Sequence, residues 1–197
     1  MDPETVDPEP LAQFRAWLAE AEAAVAAPEA AALATASADG RPSVRMVLVK
    51  RADERGLVFH TNLESRKASD LAANPHAALL FHWPPLGRQV RVEGTVERLA
   101  EEESAAYFRT RPLGSRLAAW ASPQSRPLES RAELERRLAE AAARYGDDPL
   151  LPPHWGGYRL VPDAVEFWQG RPDRLHDRLR FRRGGDYDDW VLERLAP

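Results

Sequence analysis

Arg174, His176 and Arg178 recur at period two near the end of this 197-residue chain. In an extended segment that spacing points all three side chains to one face. Two guanidiniums flanking an imidazole make a poor core face and a good wall for an anion. A solvated, arginine-rich strand edge would need the same residues. The segment before them, Val165-Glu166-Phe167-Trp168, alternates apolar and polar residues and reads as a strand. Gln169-Gly170-Arg171-Pro172 breaks it, because glycine and proline set turn geometry.

A second group lies far upstream. Lysine occurs only at Lys50 and Lys67, so 25 of the 27 basic residues are arginine. The two lysines mark places that need a compact ammonium, or they are chance survivors of a compositional bias. Lys67 falls in Ser65-Arg66-Lys67, where Ser65 is a plausible N-cap and Asn74-Pro75 a stop. Basic residues in a first helical turn oppose the macrodipole and cost roughly 0.3–1 kcal/mol each. An anion bound there reverses the sign, since free N–H groups and two cations converge on it. We read this as a phosphate site.

A third group is Tyr107 and Arg111, four residues apart at the end of a helix expected over 101–110, with Ser115 just beyond. A phenol, a guanidinium and a hydroxyl could surround a second phosphate. A helix C-terminus made favourable by arginine fits equally well.

The elements that must position these groups are short. Residues 1–10 are acidic and proline-rich and read as a flexible tail. Leu11 to Ala27 is an amphipathic helix ended by Pro28. Strands follow at 31–37, 43–51, 57–61, 76–83 and 88–99, with glycine- and proline-containing turns between most of them. On the second strand, Val44, Met46, Leu48 and Lys50 share one face and Arg45, Val47 and Val49 the other. Trp120 to Ser125 reads as a polar loop, and Ser130 with Glu133 as a capping box. Strands resume at 155–161, and a hairpin pairs 179–182 with 190–195 around Gly184-Gly185. A meander of this kind predicts a mainly β, α+β protein built on a small antiparallel barrel or sandwich, as one domain over 11–197.

Composition removes several classes. A net charge of −4 supplies no basic field for nucleic acid. The absence of cysteine excludes disulfides, thiolate nucleophiles and cysteine-ligated metals, and fits a reducing cytoplasm. No apolar run approaches the roughly 20 residues of a membrane helix, and the acidic start lacks a signal-peptide pattern. The histidines are too scattered for a metal site. Six tryptophans exceed what one small barrel needs, which points to a homodimer interface.

Arg45-Met46-Val47-Leu48-Val49-Lys50, Thr61-Asn62-Leu63 with Ser65-Arg66-Lys67-Ala68, Arg88-Gln89-Val90, Tyr107-Phe108 with Arg111-Pro112, Gln124-Ser125, Trp155-Gly156-Gly157, Phe167-Trp168-Gln169-Gly170, Arg174-Leu175-His176-Asp177-Arg178 and Arg194-Leu195-Ala196-Pro197 together resemble the pyridoxamine 5'-phosphate oxidase family. Each block is short, but their common order makes the signal specific. The resemblance implies an FMN-binding split β-barrel, working as a homodimer with two flavin sites at the interface. It implies oxidation of pyridoxamine or pyridoxine 5'-phosphate by O2 to pyridoxal 5'-phosphate and H2O2. A hydride would pass from the substrate's C4' carbon to flavin N5. The resemblance also includes a sibling oxidase of phenazine type as an alternative, and a non-catalytic flavin or pyridoxal-phosphate carrier is a third reading.

Residue by residue, the resemblance places Arg45, Met46, Lys50, His60, Thr61, Arg66, Lys67, Gln89, Gln124, Ser125, Trp168 and Arg178 on FMN. Arg66 and Lys67 would hold its phosphate, the site the helix-start argument reached independently. Lys50, Tyr107, Arg111 and Ser115 would grip the substrate phosphate, and Arg174 and His176, as the catalytic pair, would face the pyridine ring. The family usually carries an aromatic residue where this chain has His60, and many members have a longer basic arm before the first helix.

Overall fold

The structure, a computed structural model, describes residues 1–184 and 189–197. Gly185, one half of the expected final turn, lies outside the described residues. Six strands close into an antiparallel ring: β1 (Ala30–Ala36), β2 (Pro42–Asp53), β3 (Gly56–Asn62), β4 (His76–Trp83), β5 (Arg88–Arg98) and β6 (Trp155–Gln169). The order is β3-β2-β1-β4-β5-β6, and a β3–β6 pairing completes the circle. β7 (Asp177–Gly184) and β8 (Asp189–Arg194) continue the sheet outward from β6.

Alternation fixes which face is inside. On β1, Ala31, Leu33 and Thr35 are buried; on β5, Val90, Val92 and Val96 are. They meet Phe59, Phe81, Leu160 and Phe167 in a single core. One helix, α1 (Pro10–Glu22), lays Leu11, Phe14 and Trp17 against it, with Phe14 4.8 Å from Phe81 and Trp17 edge-on to Phe167 at 5.2 Å. The helix ends five residues before the expected Ala27. Ala24 and Val25 both donate back to the Ala21 carbonyl, and the Pro28 carbonyl is taken by the Trp83 indole.

β6 is one 15-residue strand where the sequence suggested two. Pro162 sits opposite Gly94, where the β5–β6 register shifts at Glu93/Gly94, a bulge position that tolerates proline in a strand. Gly94 is needed there: a Cβ would sit 2.0 Å from the Val161 carbonyl oxygen. The first half of β6 pairs with β3 and the second half with β7, and the barrel splits at this point.

Four helices decorate the ring: α2 (Arg66–Ala73), α3 (Glu101–Thr110), α4 (Leu113–Ala121) and α5 (Arg131–Tyr145). α4 has no counterpart in the sequence reading, which gave Trp120 and Ala121 to a loop. Pro112 ends α3 and also occupies the N-cap position of α4, so the stop signal conceals a restart one residue later. α4 and α5 share a small apolar cluster of Leu117, Ala121 and Ala141, flanked by Trp120 and Tyr145. The capping box at α5 forms with a shifted half: Ser130 Oγ accepts from Glu133 N–H, while the Glu133 carboxylate accepts from Glu129 N–H.

Candidate active site

A cleft of about 650 Å³ opens between β2, β3, the α3–α4 corner and the loop after α4. Nine of the expected site residues line it: Met46, Lys50, His60, Thr61, Lys67, Tyr107, Arg111, Ser115 and Gln124. They come from five separate stretches of sequence, and the barrel is what brings them together.

At one end of the cleft, α2 begins where expected. Ser65 occupies the N-cap position, but its hydroxyl donates to the Asn62 carbonyl instead of capping the helix. That leaves the first-turn N–H groups to another acceptor, which suits an anion. Arg66 is exposed, whereas Lys67 is buried. The Lys67 ammonium donates to Thr61 Oγ1 (3.0 Å), Ser65 Oγ (3.2 Å) and Gln124 Oε1 (2.6 Å). All three partners are neutral. Burial, and then the nearby Arg45, push the Lys67 ammonium down to about 8. Arg45 reaches the same end from β2, donating to Thr35 Oγ1 (2.7 Å), whose hydroxyl in turn donates to Asp70 of α2 (2.7 Å). Ser125 follows Gln124 at a positive φ of 71° and is exposed.

At the other end, Tyr107 and Arg111 stand together as their spacing implies, with Ser115 in the first turn of α4. The Arg111 guanidinium lies 4.8 Å over the Trp155 ring, and its buried Nη1 has no hydrogen-bond partner among the described residues. Its pKa is lowered, by burial first, with Tyr107 acting in the opposite direction. His60 stacks on Tyr107 at 4.1 Å and lies parallel to Trp155 at 5.2 Å. Trp155 was not singled out from sequence, although Trp155-Gly156-Gly157 carried a signal. Gly157 faces His60 across β3–β6, and a Cβ there would approach His60 Cδ2 to 2.8 Å. Only glycine leaves room for the imidazole in this stack. Lys50, on the cleft wall, is paired with Glu29 at 2.8 Å, a partner the sequence did not suggest.

The remaining candidates sit elsewhere on the protomer. Gln89, Trp168 and Arg178 are register partners, one row across β5, β6 and β7. Arg178 is held by Glu166 (2.7 Å), which also binds Arg91 (2.6 Å). His176 packs on Trp168 at 4.6 Å, and its Nδ1 accepts from Arg171 N–H. The period-two argument fails for Arg174. Residues 172–174 form a 3-10 turn with positive φ at Asp173 (57°) and Arg174 (63°), and the strand starts only at Asp177. Arg174 is therefore an exposed turn residue, not the first of three on a strand face. Asp177 anchors the turn through Arg171, Arg194 and the Met1 ammonium, and these cations hold its carboxyl far below the usual range.

The buried Arg111 Nη1 and the neutral partners of Lys67 leave two sources of positive charge available to a ligand. A monophosphate flavin fits this donor set, whereas a dinucleotide would call for a glycine-rich loop that the chain lacks. A six-strand split barrel with such a cleft defines the class of FMN-binding split-barrel flavoproteins. Comparison with known proteins agrees. Residues 18–145 match the family model "Pyridoxamine 5'-phosphate oxidase", and residues 155–197 match "Pyridoxine 5'-phosphate oxidase C-terminal dimerisation region". The chain is 58% identical to a pyridoxine/pyridoxamine 5'-phosphate oxidase of Burkholderia vietnamiensis, covering all of this chain and 93% of that one. It is 60% identical to that of Salinibacter ruber over 98% of this chain and 91% of the relative. Among solved structures, PhzG from Burkholderia lata 383, in complex with tetrahydrophenazine-1-carboxylic acid, superposes with a TM-score of 0.94 at 37% identity, covering 100% and 98%. The chain belongs to the pyridoxine/pyridoxamine 5'-phosphate oxidase family, and it is an FMN-dependent oxidoreductase.

Proposed function

We propose that this enzyme oxidises pyridoxamine 5'-phosphate or pyridoxine 5'-phosphate with O2, giving pyridoxal 5'-phosphate and H2O2. For the amine, water is consumed and ammonia released. The observation that carries the reading is the end of the cleft where the buried Arg111 Nη1, beside Tyr107 and Ser115, lacks a partner among the described residues. Lys50 lines the same cleft. Lys67 with Arg66, Arg45 and Thr61 would hold the flavin phosphate. Met46, Gln124 and Ser125 would add contacts along the flavin, and His60, assigned to the flavin by the resemblance, lines the cleft with Tyr107, Arg111 and Ser115.

The chemistry FMN supplies when bound is the acceptance of two electrons from the substrate's C4' position and their delivery to oxygen. The chain's own residues position and hold charge. Arg174 would orient the pyridine ring, and a neutral His176 would hydrogen-bond a ring substituent. Gln89, Trp168 and Arg178 belong to the same flavin site in this reading only if a second copy contributes them. Support comes from the outer face of β2, where Val44 and Met46 are 68% and 63% exposed and Leu48 is also open. A contiguous apolar strip of this kind marks an interface, and Met46 and Leu48 also line the cleft. A second copy covering the strip would close the cleft and place FMN at the interface. Three of the six tryptophans are in the core, so this strip, not tryptophan count, is the argument for the homodimer. A cytoplasmic location completes the reading, since a chain without cysteine suits a reducing compartment. Among the described residues no helix is long and apolar enough to cross a membrane.

A phenazine-type reaction is the second reading, favoured by the likeness to PhzG. One experiment separates the two. Purified holoenzyme is offered pyridoxamine 5'-phosphate or a reduced phenazine carboxylate in air, and peroxide and aldehyde are measured. Turnover of the phosphorylated amine is expected. Turnover of the phenazine alone would replace the reading, and no peroxide from either would favour a flavin carrier.

A further inference from the structure

The imidazole of His60 stands as a partition inside the cleft wall. Together with Lys50 and Tyr107 it borders both the main cleft and a smaller cavity of about 120 Å³ behind it. Both of its ring nitrogens are buried, and neither has a hydrogen-bond partner among the described residues. At least one of them carries a hydrogen in any protonation state. A buried donor left unpaired is costly, so such a group in a cleft points to a missing acceptor. The stack explains why the ring cannot turn away: Tyr107 covers one side at 4.1 Å, and the side chain fills the space that Gly157 leaves open.

We infer that His60 is a proton-linked contact of the phosphate pocket, neutral without a ligand and taking up one proton from solvent when a dianion seats beside Arg111. The inference rests on the reading of Tyr107, Arg111 and Ser115 as the substrate-phosphate site.

The charges around the ring set the sign. Lys50 and Arg51 face it from β2, Glu103 and Tyr107 from α3, and Arg111 from the α3–α4 corner; β6 contributes Trp155 and Gly157, and its buried Arg159 lies 3.8 Å from Glu103. Glu103 is paired with Arg51 and Lys50 with Glu29, each at 2.8 Å, whereas Arg111 has no carboxylate partner among the described residues. Burial, then Arg111 and Arg51, lower the ring to about 4. A dianion held by Arg111 cancels the second of these effects and adds an attraction for the imidazolium. The folded, unliganded ring is thus neutral at working pH, and the liganded one regains affinity for a proton. Binding and protonation then strengthen each other, so the anion binds more tightly as pH falls. A phenol at this position has no such response, because it is uncharged throughout the range.

The test uses FMN-loaded holoenzyme, so that the flavin-phosphate site is filled, and sulfate as the probe, since sulfate stays a dianion where phosphate titrates. Affinity is measured by calorimetry at constant ionic strength in the wild type, His60→Phe, His60→Tyr and Arg111→Met. Returning the ring towards its ordinary value of about 6.5 predicts roughly tenfold tighter sulfate binding at about pH 5 than at about pH 7 in the wild type. Both His60 variants should bind with little pH dependence, and Arg111→Met should bind weakly at either pH. Histidine ring NMR supplies a readout that a purely structural role would not move. The resonance lost in His60→Phe should report a neutral ring at about pH 6 without sulfate and a protonated one with it. Sulfate binding that needs Arg111 but keeps its pH slope in His60→Phe would overturn the inference and leave the phosphate site standing. Sulfate binding indifferent to Arg111→Met would remove the phosphate reading itself.

Discussion

The cations of the cleft and those of the β6–β7–β8 face are held in opposite ways. Lys67 is surrounded by two hydroxyls and an amide oxygen, and Arg111 lies on an aromatic ring with one nitrogen unpaired. Outside, Arg178 and Arg91 share Glu166, Arg180 and Arg182 share Glu193, and Arg171 and Arg194 share Asp177. Arginine content alone does not distinguish the two regions. What differs is the charge of the partner. Neutral partners orient a cation without neutralising it, so its field remains for a ligand. Carboxylate partners fix the sheet edge and leave little field over. Lys50, paired with Glu29 at 2.8 Å, and Arg45, 3.5 Å from Asp70, are cleft cations of the second kind.

The largest effect should come from removing the unneutralised charge. Substituting both Arg66 and Lys67 by Ala deletes charge-assisted bonds of about 1.5–3 kcal/mol each. FMN affinity should fall at least about a hundredfold by the same magnitudes, read by flavin fluorescence titration of the apoprotein. The burial of Lys67 makes its truncation a cavity as well, so Lys67→Met in place of Ala checks that the fold survives, by circular dichroism. Unchanged FMN affinity would sink the phosphate assignment and the comparison with it.

An intermediate effect is expected at the turn before β7. Arg174→Ala should cost more in kcat/KM than His176→Ala, with FMN retained in both, because a guanidinium that orients a ring loses alignment worth about 10²-fold. The exposed position of Arg174 sharpens this test: among the described residues it has no partner carboxylate, unlike Arg171 and Arg178. If both variants turn over pyridoxamine 5'-phosphate like the wild type, the turn only shields a sheet edge. Flavin loss in either would move that residue from substrate to cofactor.

The smallest effect is a pH dependence with two signs. Lys67 is lowered to about 8 in the fold, against a reference near 10.5. Between these values the unfolded chain holds a proton that the folded chain has released, so stability should rise with pH across that window. FMN binding should weaken over the same window, because the neutral amine no longer attracts a phosphate. Thermal melts and FMN titrations of the apoprotein at about pH 7.5 and 9.5 should therefore move in opposite directions. Lys67→Met should abolish both trends, and parallel trends in the wild type would show that the amine does not reach the phosphate.

Much of the site is legible from the chain order of its residues, and for local reasons. Helix α2 starts at Arg66 because Ser65 and the turn before it set the boundary within a few residues. Tyr107 and Arg111 meet because one helical turn separates them. Strand limits at 76–83 and alternation on β2 and β5 follow from period two. The errors fall where a local signal had two meanings. Pro112 reads as a stop and also starts α4; Pro162 reads as a strand end and sits at a bulge. Arg174 and His176 match a strand period, but positive φ at Asp173 and Arg174 takes the chain out of the extended region.

By itself the sequence determined the residue types, most of the local elements and the one place, Ser65-Arg66-Lys67, where an anion would offset a helix-end cost. Those depend on neighbours within a few positions, and short-range sterics and hydrogen bonding decide them. Tertiary structure alone decided which cations stay unneutralised. Glu29 reaches Lys50 across 21 positions, Gln124 reaches Lys67 across 57, and Glu166 reaches Arg91 across 75. The placement of His60 against both Tyr107 and Trp155, in the space left by Gly157, likewise joins three distant segments. Ring closure of the barrel, through β3 on β6, is what sets these pairings. Barrel closure depends on the register and stagger of all six strands at once, which no window of sequence contains.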